Sequence, residues 1–162
     1  VGCRFLKLSL FKKIADNFLN KLNFKNLQPT YTTNDNNSLT IQYVYTQNNV
    51  KIYPDQVKVK VALDNGQVTG FESSQYYKAH TKRTLAKPAI TGAKAQACLN
   101  TSAKAKATGL CLIPTSGGGE ILCYEFKCVR NGVNYLIYIN AKDCSEENVL
   151  KIIDVPGGAL AI

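Results

Sequence analysis

Phe11, Ile14, Ala15, Phe18, Leu19 and Leu22 recur at the three- and four-residue spacing of one helical face. Lys12, Lys13, Asp16, Asn17, Asn20 and Lys21 fall on the other face, and Ser9 precedes the pattern as an N-cap, so a helix over 9–22 is predicted. After the polar turn Asn34 to Asn37 the period changes from helical to alternating. Leu39, Ile41, Tyr43 and Tyr45 interleave with polar residues as in a half-buried strand. Val57, Val59, Val61 and Leu63 repeat the alternation, and Asp64-Asn65-Gly66 turns the chain into a strand over Val68 to Phe71.

The second half repeats the order. Thr91 caps a short Ala-rich helix near Ala93 to Leu99. Leu110 to Ile113 forms a strand stopped by Pro114, and Leu122, Tyr124 and Phe126 alternate along the next. Asn131-Gly132 is a hairpin signal leading into Tyr135, Ile137 and Ile139, with Val149 to Ile153 as the last strand. The expected fold is therefore α+β: two tandem units, each a helix packed on a small antiparallel sheet. The units span 1–81 and 89–162, with 82–88 as linker.

Composition adds limits. With 45% hydrophobic residues in 162, a true core is expected and general disorder is not. The longest apolar runs fall well short of the roughly 20 residues that span a bilayer. Residue 1 is Val, so a fragment or processed product is expected, with any anchor upstream.

Twenty basic residues oppose eleven acids, a net charge of +9. No acid lies between Glu72 and Glu120, where Lys78, Lys82, Arg83, Lys87, Lys94, Lys104 and Lys106 cluster. Such a stretch favours an anionic partner such as peptidoglycan or another anionic cell-wall polymer, or only keeps the surface solvated. The excess of Lys over Arg argues against nucleic acid, which is read by the planar guanidinium.

No catalytic constellation stands out. His80 is the single histidine, in a polar segment without a nucleophile signature, and reads as a linker or packing residue. The carboxylates fall in turns and on strand faces. Gly117-Gly118-Gly119 lacks the Lys and following helix of a phosphate loop. The six cysteines, Cys3, Cys98, Cys111, Cys123, Cys128 and Cys144, show no Cys-x-x-Cys spacing. No zinc site or other cofactor is expected, and the cysteines read as buried thiols. Cys123 and Cys128, an odd number apart, should face opposite sides of a strand.

The run Val50 to Glu72, with Tyr53-Pro54-Asp55-Gln56-Val57 and Asp64-Asn65-Gly66-Gln67, resembles the PepSY region of YpeB-type spore germination proteins. So do Gly119 to Lys127, Tyr135 to Ala141 and the terminal Ile152-Ile153-Asp154, and the likeness runs from about Leu10 onward. It implies a pair of PepSY domains from the C-terminal part of such a protein, following a membrane-anchored region. It also implies a non-enzymatic role in endospore-forming bacteria. The expected partner is a spore cortex-lytic enzyme of the SleB type, bound and stabilised or inhibited until germination. The expected place is the spore, outside the inner spore membrane or in the cortex.

Cys144 stands where the first copy has Gly66. A positive φ there would cost a Cys about 1 kcal/mol or more. For partner contact, Tyr53, Pro54 and Asp55 are the first candidates, because Pro54 interrupts a strand edge. Lys82, Arg83 and Lys87 of the basic linker join them. An ordinary turn, with Asp55 accepting from nearby backbone N–H groups, is the competing reading of that tripeptide.

Overall fold

The computed structural model describes residues 2–100, 104–155 and 158–161, with side chains over 8–100 and 104–151. Helix α1 (Gly2–Lys21) is followed by β1 (Leu27–Asp35), β2 (Ser38–Gln47), β3 (Val50–Ala62), β4 (Val68–Glu72) and the short α2 (Ser74–Ala79). Then come α3 (Gly92–Ala97), β5 (Ala105–Pro114), β6 (Glu120–Arg130), β7 (Val133–Asn140), β8 (Glu146–Val155) and β9 (Gly158–Ala161). Residues 80–91 contain no helix or strand.

Among the described residues the nine strands make one sheet, in the order β1-β2-β3-β5-β6-β7-β8-β9, with β4 also on β3. Two separate small sheets were expected. The join is a short parallel pairing of β3 with β5, Lys51 against Cys111 and Ile52 against Leu112; every other pairing is antiparallel. β9 returns beside β1, so the sheet curls round on itself.

One face of the sheet carries the helices. Phe11, Ala15 and Leu19 of α1 bury against Leu39, Ile41 and Tyr43 of β2 and Val57, Val59 and Val61 of β3. Each fully buried valine there contributes roughly 1.5–3 kcal/mol. Leu22, on the same stripe by spacing, is exposed because α1 ends at Lys21 and the chain turns away through Asn23 at φ +62°. Ser9 lies inside α1 and is not its cap, since the helix begins at Gly2. Ala95 of α3 packs on Phe126 and Cys128 of β6 and Ile137 and Ile139 of β7, and Thr91 Oγ1 caps α3 by accepting from Lys94 N at 3.2 Å. Between these two cores Leu85 packs against Val50, Ile52 and Leu112.

The other face follows from the alternation. Cys123, Glu125 and Lys127 point away from the helices, while Tyr124, Phe126 and Cys128 point toward them. Cys123 and Cys128 therefore do lie on opposite faces. Two cysteines depart from the thiol reading: Cys98 and Cys144 form a disulfide with Cα atoms 5.9 Å apart. It links the C-cap of α3 to the β7–β8 turn. Cys111, Cys123 and Cys128 are buried free thiols.

Candidate functional site: the β3 bulge and its two polar networks

In β2, Val44 pairs with Gln56 and the next residue, Tyr45, with Ile52. Tyr53, Pro54 and Asp55 are thus extra residues in β3, a wide bulge inside the sheet rather than a strand edge. Pro54 fits there because a bulge asks for no ladder N–H. On one side of the bulge β3 pairs with β5, and on the other with β4.

Asp55 is fully buried. Arg83 Nη1 donates to its Oδ2 at 2.9 Å and Nη2 to its Oδ1 at 2.8 Å, the two-pronged geometry that suits a carboxylate. His80 Nδ1 lies 2.7 Å from the same Oδ2. Arg83 also holds Glu120 at the start of β6, Nε to Oε2 at 2.8 Å and Nη2 to Oε1 at 2.7 Å. These bonds, Glu120 first, raise the guanidinium's pKa above its ordinary value against the opposing effect of burial. Local chain geometry sets the residues in place. α2 ends so that His80 stacks on Tyr76 with ring centres 4.3 Å apart, and the Gln47 side chain donates to Arg83 O and accepts from Arg83 N.

Tyr53 serves a second network, on the opposite face. Its hydroxyl donates to Glu125, which also accepts from Lys51 Nζ and Thr108 Oγ1. The Lys51 and Glu125 side chains are 10% and 3% exposed. Burial pulls the Glu125 pKa up, but the Lys51 charge and the bonds from Lys51, Thr108 and Tyr53 outweigh it and hold the carboxyl below the usual glutamate value. Burial first, then Glu125, raises the hydroxyls of Tyr53 and Tyr138.

The six partner candidates therefore occupy different settings. Asp55 and Arg83 bond each other, Tyr53 bonds Glu125, and Pro54 is buried in the bulge; Lys82 and Lys87 are exposed on the segment that Arg83 pins. Asp55 finds side chains rather than the backbone N–H groups of an ordinary turn. Sequence spacing carried no signal for the Arg83 clasp, whose partners lie 28 and 37 residues away. Among the described residues no cluster of three or more His, Cys, Asp or Glu is placed to hold a metal, and no helix is long and apolar enough to cross a membrane.

A family model described as YpeB sporulation, PepSY1 and PepSY2 domains, matches residues 2–86. The chain belongs to the YpeB sporulation family. Sporulation protein YpeB of Bacillus subtilis is 44% identical over 110 residues, 68% of this chain and 24% of that protein. The Halalkalibacterium halodurans protein of the same name is 38% identical over 138 residues, 85% of this chain and 31% of that protein. The chain thus spans about a quarter to a third of the curated YpeB relatives it matches. The solved structure of the Bacillus megaterium YpeB C-terminal domain superposes with a TM-score of 0.81 at 32% identity, covering 89% of this chain and 64% of that one. That likeness supports the mixed α+β fold with its large sheet, and the relatives' name sets the chain in a sporulation context.

Proposed function

We propose that this chain is a protein-binding module of a YpeB-type sporulation protein. In this reading it engages a spore cortex-lytic enzyme of the SleB type and holds it stable or inactive until germination. It acts outside the inner spore membrane or in the cortex. Residues 1–81 and 89–162 are read as its two PepSY units, with 82–88 between them. Membership of the YpeB family is the observation that carries this proposal.

The chemistry of the described residues is in keeping with a non-enzymatic role. The sole histidine is bound to a buried carboxylate, Glu125 is committed to Lys51, and the buried thiols are pushed toward their protonated form. For the contact surface we favour the strap that carries Lys82 and Lys87. Both lysines are exposed, and the Arg83 clasp fixes the backbone between them and the sheet. Asp55 acts from behind, anchoring that strap through Arg83 and His80, while Tyr53 and Pro54 belong to the bulge that presents it.

The test is titration calorimetry of the purified chain against the purified hydrolase, with peptidoglycan digestion as a second readout. Saturable binding that slows digestion or prolongs the enzyme's lifetime, weakened about tenfold by Lys82→Ala with Lys87→Ala, is expected. No binding at any salt concentration sinks the proposal.

A further inference from the structure

β4 ends the sheet at one margin: it pairs with β3, and among the described residues no strand lies on its outer side. Proteins blunt such edges with a bulge, a proline or an outward charge. Here a bulge at Thr69 breaks the register, but from Gly70 to Glu72 the ladder with β3 is regular. The one charge in that stretch, Glu72, is turned to Lys58 at 3.4 Å. These residues therefore keep the outward backbone groups that an added strand pairs with.

The two faces of that edge differ. On the helix face Phe71 packs edge-on to Phe18 and Phe24, and Tyr77 of α2 packs edge-on to Phe24. Both still show apolar surface: Phe71 is exposed, and Tyr77, at 71%, is the most exposed large hydrophobic among the described residues. Grouped apolar surface of this kind marks contact sites. On the opposite face Lys58 meets Glu72, whereas Lys60 lies opposite Gly70 and meets no acid among the described residues. A Cβ on Gly70 would sit 3.2 Å from Lys60 Cβ and 3.8 Å from its Cδ. The missing side chain thus lets the Lys60 stem lie across β4. Lys25 and Lys78, next in sequence to Phe24 and Tyr77, are exposed and also without a carboxylate among the described residues.

A second copy of the chain would bring the same lysines against these, at +9 per copy. A lipid surface would leave the backbone of the edge without partners. An extended segment in which apolar and acidic residues alternate meets the backbone, the aromatic face and the lysine face together.

We propose that the Gly70–Glu72 edge takes such a segment from a partner protein as an added strand, with its apolar side chains beside Phe71 and Tyr77 and its carboxylates at Lys60. The inference does not rest on the hydrolase reading, whose contact is placed on the strap beyond α2. Selection from a displayed random-peptide library with the purified chain tests it, followed by fluorescence anisotropy of the selected peptides. Sequences alternating apolar and acidic residues are expected. N-methylation of their odd or of their even residues should abolish binding in one pattern and spare it in the other, because only alternate amides face β4. Tyr77→Ala should weaken binding about tenfold, and Lys60→Ala should flatten its salt dependence. Circular dichroism checks that each variant is folded, and the N-methylated peptides need no variant. A selection that enriches nothing, selected sequences without acids, or binding that both N-methylation patterns affect alike overturns the proposal. So does sedimentation with phosphatidylglycerol vesicles that Tyr77→Ala abolishes, which would assign this corner to lipid.

Discussion

Gly66 and Cys144 close turns of one shape, with φ at +71° and +70°. Gly66 N donates to Ala62 O at 3.0 Å and Cys144 N to Asn140 O at 3.2 Å. In each turn the residue before also accepts from the residue after, Asn65 Oδ1 from Gln67 N and Asp143 Oδ1 from Ser145 N. Glycine adopts this conformation freely, whereas a Cys there costs about 1–2 kcal/mol. The cost is offset by the bridge to Cys98, 46 residues away.

Closing a loop of that length stabilises a chain by about 4 kcal/mol in the loop-entropy description. Cys98→Ser should therefore lower unfolding free energy by about 2–4 kcal/mol in urea titrations. In that background Cys144→Gly should restore about 1 kcal/mol by relieving the positive φ. A second substitution that destabilises further would show that the turn does not strain its Cys. Gly66→Ala should be harmful in the first turn, because its Cβ would sit 3.0 Å from Ile14 Cδ1 as well as at positive φ.

The Arg83 clasp gives a sharper test. Arg83→Ala leaves the wholly buried Asp55 with His80 alone, and breaking a buried pair from one side costs about 3–5 kcal/mol. Arg83→Lys should recover little, since an ammonium cannot hold Asp55 and Glu120 with one planar fork. Urea unfolding of the two variants measures this; a lysine variant as stable as the parent would show that only the charge matters.

How far the sequence exposes this architecture depends on the range of each interaction. The Phe11–Ala15–Leu19 stripe and the turns at Asn65-Gly66 and Asn131-Gly132 are local, and the structure has them where periodicity and turn chemistry put them. β1 escapes notice because Leu27–Asp35 is almost wholly polar and only partly buried, so no alternation marks it. α2 has 6 residues, too few for a helical period. At Tyr53 to Asp55 three inserted residues break the alternation, and Pro54 makes the break resemble an edge. Arg83 sits in a run of lysines that reads as solvated surface, and nothing local says it is 8% exposed and bound to two carboxylates.

Acid should unfold the chain partly through Glu125. Its carboxyl titrates below the ordinary glutamate value of 4.5 in the folded state. The stabilisation is therefore present above that pH and is lost as pH falls through the lower folded value. Glu125→Gln leaves Lys51 buried without its counter-charge, so this variant should melt lower at pH 7. Below pH 4 it should lose less stability per pH unit than the parent. Melting temperatures recorded from pH 7 down to about pH 3 compare the two; parallel acid limbs would mean that Glu125 does not report the transition.

The three buried thiols should be chemically silent. Burial pushes Cys123 up to about 12 and also raises Cys111 and Cys128. Only the thiolate alkylates, so at pH 8 the reactive fraction is very small even before access through the sheet is counted. Cys111 and Cys123 face each other across β5 and β6, both at 0% exposure, which shields them further. Iodoacetamide treatment of the native chain followed by peptide mapping should leave Cys111, Cys123 and Cys128 unmodified. All three should label fully in 6 M guanidinium, a concentration above that needed to unfold even hyperstable domains, roughly 5 M. Rapid native labelling of Cys111 or Cys123 would mean that the β5–β6 pairing opens far more often than the continuous sheet implies.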